Sequence, residues 1–193
     1  MPHNLALPAL RPAHGSLRIA AVGFTLAWLL GLAIPVPGTD VDATGHAVAA
    51  ALAGHEAEVA LRALLVHGLA AVALVTVAVA LGRRARIAAL VAAALSLAQW
   101  ALETTLAAGG SGALMEAVNR LDGLKMIALA ALVLAGSRTL PRWLQAVGAV
   151  LVPALAVSAA GYLALVPWLA LAAFVSLPLL LVWVTGAGLA KAG

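Results

Sequence analysis

The chain has 193 residues, 65% of them hydrophobic and only 9% charged, with 11 Lys and Arg against 7 Asp and Glu, whereas soluble domains are about half apolar and about a quarter charged. That apolar excess is too large for a water-soluble core, and the positive charge lies at the ends of apolar runs, where it reports membrane orientation and not nucleic-acid binding. There is no cysteine, which excludes structural disulfides, thiolate metal sites and thiol redox chemistry.

A helix crossing roughly 30 Å of hydrocarbon needs about 20 mostly apolar residues, and six stretches approach that length: 17–34, 59–81, 87–108, 118–136, 143–166 and 168–187. They predict an all-α integral membrane protein, a single transmembrane domain over 1–193 built as a six-helix bundle with short loops. The first run follows Arg11 and Arg18 like a signal peptide. Because Pro35, Val36 and Pro37 follow it and no clean cleavage site appears, it reads as a retained span.

Lys and Arg accumulate in cytoplasmic loops. Arg11, Arg18, Arg83, Arg84, Arg86, Arg138, Arg142 and Lys191 fall on one side of the predicted spans, and every Asp and Glu falls on or near the other. Both termini are therefore expected in the cytoplasm. Heavy use of Ala, Leu, Val and Arg points to a bacterial inner membrane.

The first outer connection is the longest, and residues 43–52 within it predict a short interfacial helix capped by Asp42 or Thr44. Gly109, Gly110 and Gly112 form an outer turn. Ala128, Ala131 and Ala135 make a smooth face on the fourth span, which places that helix near the bundle centre. Pro153 and Pro178 fall near the middle of the last two spans and predict bends. Trp28, Trp100, Trp143, Trp168 and Trp183 are candidate headgroup anchors, with Trp143 and Trp168 best placed and Trp100 close enough to Gln99 and Glu103 to line a polar pocket.

Ionisable side chains in a bilayer are costly, so each marks a candidate site. Arg62 and His67 lie on the second span, Gln99 and Glu103 on the third with Ser96 on the same stripe, and Asp122 and Lys125 one turn apart on the fourth. The expected arrangement is a Glu103–Lys125 ion pair, with Arg62 and His67 facing the same outward cavity. The first, fifth and sixth spans carry no internal charge and are expected to face lipid or pack. His55 and Glu56 begin like a zinc-protease motif, but Val59 occupies the second histidine position. Neither a metal ligand set, a bound cofactor nor a complete catalytic constellation is legible, and phosphate-binding and hydrolase signatures are missing.

In amphiphilic pattern, residues 48–81 and the stretch NRLDGLKMIALAALVLAG from Asn119 to Gly136 resemble other bacterial multi-pass membrane proteins. The resemblance implies a bundle and no activity. The leading expectation is a protein that binds or transports a small or lipidic ligand through an outward-facing polar cavity among spans two to four, with membrane lipid as its surroundings. The alternative is an accessory subunit that holds a partner membrane protein, or a second copy of itself, through its alanine-rich faces. An intramembrane enzyme ranks third.

Overall fold

The computed structural model describes residues 13–111 and 113–193, so Arg11 and Gly112 lie outside the described residues. Helix α1 (His14–Ala33) is followed by the short α2 (Gly45–Leu52). A second rod consists of α3 (Glu56–Ala63), a π-helical turn (Leu64–Leu69) and α4 (Ala70–Leu81). Then come α5 (Arg83–Ala107), α6 (Ala113–Ser137), α7 (Arg142–Ala164), the single turn α8 (Pro167–Ala170) and α9 (Ala173–Ala192). The fold is an all-helical bundle with five helices long and apolar enough to cross a membrane. The remaining long rod, α6, has 25 residues but carries Glu116, Arg120, Asp122 and Lys125.

Each long rod packs against the next in the chain, and α9 returns against α1, so the rods close into a ring in chain order. Apart from the first, over residues 34–55, their connections are short, which makes successive rods antiparallel. The tightest reversal is Gly82, whose φ of 106° joins α4 to α5 in a single residue, a conformation that glycine adopts without a Cβ clash. One end of the bundle gathers Arg18, Arg83, Arg84, Arg86, Arg138, Arg142 and Lys191, while Asp40, Asp42, Glu56, Glu58 and Glu116 gather toward the other.

Lipid tails are as apolar as leucine, so close packing has to hold membrane helices together where the hydrophobic effect does not. At the arginine end Trp183 is fully buried and its indole N–H donates to Ser137 Oγ at 3.2 Å. Only glycines fit around that ring, because a Cβ on Gly136 would stand 2.9 Å from it and one on Gly148 3.2 Å from its nitrogen. Nearby, Thr25 and Thr185 share a 2.6 Å hydrogen bond between α1 and α9, Thr185 also donates to the Ala21 carbonyl, and Gly188 packs on Ala21. Lys191 closes this end by donating to the Thr139 carbonyl at 3.0 Å.

At the acidic end Thr44 caps α2, accepting from the Ala47 N–H. The short helix packs one face on the bundle: Val48 and Leu52 are buried with Val59, Leu106 and Ala107. The expected alanine face on α6 is corrected, since Ala131 is exposed and the packed face runs through Ala128, Leu129, Leu132, Val133 and Gly136. Helical phase explains this, because Leu132 and Val133 fill the space between rods better than a methyl group. The sixth apolar run breaks into α8 and α9, which leaves Pro178 close to the start of α9. Trp143 and Trp168 are exposed near rod ends, whereas Trp183 is core and no anchor.

The turn from α7 into α8 depends on Gly161. Leu165 adopts a left-handed φ of 54°, the Val166 N–H donates to the Gly161 carbonyl, and a Cβ on Gly161 would lie 2.3 Å from the Ala170 nitrogen. Gly161→Ala must push backbone away and is expected to cost about 1–3 kcal/mol. Gly23→Ala, with open space around the new methyl, is expected to be neutral or to stabilise by about 0.5–1 kcal/mol through helix propensity. Equilibrium unfolding in mixed detergent checks both, and equal effects would contradict the packing described.

Candidate functional site

The polar side chains converge inside the ring because each helix presents one polar stripe inward. On α5, Ser96, Gln99 and Glu103 recur every three or four residues, and Ser96 and Gln99 are buried. On α6, Asn119 and Lys125 are buried, with Asp122 partly so between them. Lys125 is the middle residue of α6. Side chains on a helix lean toward its N-terminus, so this ammonium reaches back toward the acidic end. It meets Asp122 Oδ1 at 2.5 Å and donates to Gln99 Oε1 at 2.7 Å. Gln99 in turn donates to the Val118 carbonyl at 3.3 Å. The amide satisfies the ammonium with its oxygen and the α6 backbone with its nitrogen, linking α5 to α6 twice.

The expected Glu103–Lys125 pair does not form. Glu103 stands one turn nearer the acidic end than Gln99 and about 40° further round α5, which aims it at the second rod. There Glu103 Oε1 lies 3.2 Å from His67 Nε2. His67 sits in the π-helical turn, where the Ala70 N–H bonds back five residues to Leu65. The wider turn buries Val66, His67 and Gly68 consecutively, although three consecutive residues of a regular helix fan over about 200°. π-Turns inside α-helices are frequent at functional sites. The other ring nitrogen, Nδ1, is buried without a partner among the described residues.

Arg62 lies on the same rod and lines a cavity of about 530 Å³ with Glu103, Asn119 and Asp122. It makes no ion pair among the described residues. The cavity is roofed by the connection between α1 and α2, where Asn119 donates to the Val41 carbonyl at 2.9 Å. His67 stands behind Glu103 as its partner. Thus the structure brings His67 to Glu103, and Gln99 and Asp122 to Lys125, with Arg62 on the wall of the cavity that both carboxylates line.

Two neighbouring spaces adjoin this one. A chamber of about 210 Å³ reaches Asp122 and Lys125 from the side of α1, α7 and α9, and a groove of about 790 Å³ runs between the end of α1 and α8–α9. Leu32 and Tyr162 line all three. The expectation that the first, fifth and sixth runs only pack or face lipid is therefore corrected: Trp28 and Leu32, Tyr162, and Phe174 with Ser176 wall these spaces. Tyr162 is the sole tyrosine in the chain, and a lone phenol in an apolar run was the available signal for it. Asn119 was legible too, as an amide one turn before Asp122.

His46 is exposed and His55 sits at the start of α3, well apart from His67 in the sequence. Among the described residues no three His, Asp or Glu side chains converge. No family model, curated protein or solved structure matches the chain.

Breaking a buried pair leaves the surviving charge uncompensated, whereas removing both charges does not. Asp122→Asn is expected to destabilise by roughly 2–4 kcal/mol, and Asp122→Asn combined with Lys125→Met is expected to recover most of that loss. Unfolding free energies of the two variants provide the check. A double variant no better than the single one would show that the pair does not carry the network.

Proposed function

We propose that the chain is a six-span bundle of a bacterial inner membrane, with both termini in the cytoplasm, that binds or transports a small or lipidic ligand through the polar cavity at its outer end. The observation that supports this most directly is the cavity itself. Its volume of about 530 Å³ falls within the usual range for small-molecule sites, about 300–1,000 Å³, and its wall carries Arg62, Glu103, Asn119 and Asp122 among apolar residues. Charged groups at this depth are expensive to keep. A bundle that needed only to pack would bury alanine or leucine there.

The reading of α6 as a sixth span rests on where its charges point. Asp122 and Lys125 pair with each other inside the ring, while Arg120 and Glu116 pair at 2.6 Å on an exposed face near the acidic end. The hydrocarbon would then meet Leu124, Ile127 and Leu134, which are exposed. Orientation follows from the cationic end, which the positive-inside rule assigns to the cytoplasm.

Absence of cysteine makes orientation directly testable. Asp42→Cys is expected to react with an impermeant maleimide in intact spheroplasts, and Arg138→Cys only after lysis. The reverse pattern would overturn the assignment. For the ligand, native mass spectrometry of the gently purified protein is expected to show a retained molecule. Arg62→Ala and Glu103→Gln should lose it, whereas Glu116→Gln, on the exposed pair, should keep it. Retention that is indifferent to all three substitutions, or a bare protein in every case, would count against the cavity as a binding site.

A further inference from the structure

We propose that the ligand is an anionic lipid, with a phosphate-bearing headgroup held in the polar cavity beside Arg62 and its acyl chain lying in the groove between α1 and α8–α9. This deepens the reading above and rests on it. The first observation is that the polar cavity has a side entrance. The groove and the cavity share Leu32, Thr39, Val41, Tyr162 and Phe174. The groove wall is mostly apolar and outward-facing: Trp168, Leu171 and Phe174 are 71%, 59% and 79% exposed.

The entrance has a structural cause. Among the described residues the hydrogen bonds that tie α1 to α9, between Thr25 and Thr185 and from Thr185 to the Ala21 carbonyl, reach from the arginine end only to about the middle of the two helices. Toward the acidic end the last rod is interrupted between α8 and α9, and Pro178 follows five residues into α9. A proline leaves the carbonyl four residues earlier without its helical donor and bends the helix, and here that carbonyl belongs to Phe174. The two rods are therefore joined at one end and parted at the other, at the depth of one leaflet.

The chemistry of the two spaces selects the ligand class. A hydrophilic solute has no use for a long apolar groove open to lipid, and a hydrocarbon would leave the charges of the cavity unsolvated. An amphiphile satisfies both. The sign of its headgroup rests on the pairing: Asp122 is matched by Lys125 and Glu103 shares a hydrogen bond with His67, whereas Arg62 makes no ion pair among the described residues; Asp40 lines the groove and not the cavity. Its guanidinium offers the planar fork that suits phosphate oxygens, with the Asn119 amide on the same wall.

The test uses the whole chain in neutral detergent, with native mass spectrometry to count bound dioleoylphosphatidylglycerol, dioleoylphosphatidylcholine and glycerol phosphate. The wild type is expected to retain the anionic lipid at about tenfold lower concentration than the zwitterionic one, a difference of about 1.4 kcal/mol. Arg62→Gln should abolish most of that preference. Leu32→Trp, placed at the junction of groove and cavity, should reduce retention of the anionic lipid about tenfold without changing the thermal midpoint. Equal retention of both lipids, unaffected by Arg62→Gln, would overturn the proposal by revealing only annular lipid. Glycerol phosphate binding as tightly as the anionic lipid, and weakened by Arg62→Gln, would overturn the lipid assignment while leaving the polar cavity as a small-molecule site. Should Leu32→Trp fail to fold, the wild-type preference and Arg62→Gln decide the matter alone.

Discussion

An ammonium group buried at the centre of a helix must find its solvation in the protein, and the position of Lys125 imposes that constraint on the whole bundle. The side chain is almost fully buried, so the carboxylate of Asp122 and the amide oxygen of Gln99 have to replace water. Gln99 can serve only because its own N–H₂ finds the Val118 carbonyl, which fixes both the rotation of α5 and its distance from α6. Once those two helices are locked, Glu103 cannot also face Lys125. It turns to the second rod, and the π-helical turn there brings His67 within reach. One buried charge thus sets the register of three neighbouring rods.

Charge alone would not make a bundle, since the attraction is local and the remaining length of each rod is hydrocarbon. In the arginine half the joining is steric. Gly136, Gly148 and Gly188 allow side chains or helices to approach where a methyl group would collide, and Trp183 fills the space so formed. The division of labour has a physical basis: dispersion attraction is gained only where surfaces touch without voids. A polar network, in contrast, leaves room for water around its hydrogen-bonding groups. A closely packed half and a polar, cavity-bearing half therefore follow from the same sequence by different interactions.

Much of this architecture was readable in the amino-acid order. Hydropathy marks six apolar runs because the bilayer demands about 20 consecutive nonpolar residues, and the Thr44 cap obeys a local rule that needs no tertiary context. The long rods extend past the predicted limits because a helix continues through polar turns that hydropathy discounts, as at residues 113–117 of α6. Which polar groups meet was less accessible. Depth and helical phase brought Glu103 and Lys125 to the same region, but a rotation of about 40° separates the right partner from the wrong one. The π-helical turn is invisible to a fixed 100° period, and it is what buries His67. Tyr162 was overlooked since it lies in a run without charge, and only the closed ring reveals that α7 faces the same interior as α5 and α6.

The asymmetry between the two halves also constrains how a ligand could move. Packing around Trp183 is close in the arginine half, and the three cavities described here all lie toward the acidic end. For these three cavities the way in lies toward the acidic end. Passage to the other side would require Trp183 to leave the glycines that enclose it, which exposes its indole N–H and forfeits close contacts from α6 and α7 at once. Binding and release at a single leaflet require none of that: Leu32 and Tyr162 stand at the junction, and the parted ends of α1 and α9 already provide the way in. Under the proposed function a ligand would be held from one side, and transport across the bilayer would need a second arrangement of α9. Pro178 is where such a rearrangement would begin, since the helix there already lacks one of the hydrogen bonds that a bend would otherwise have to break.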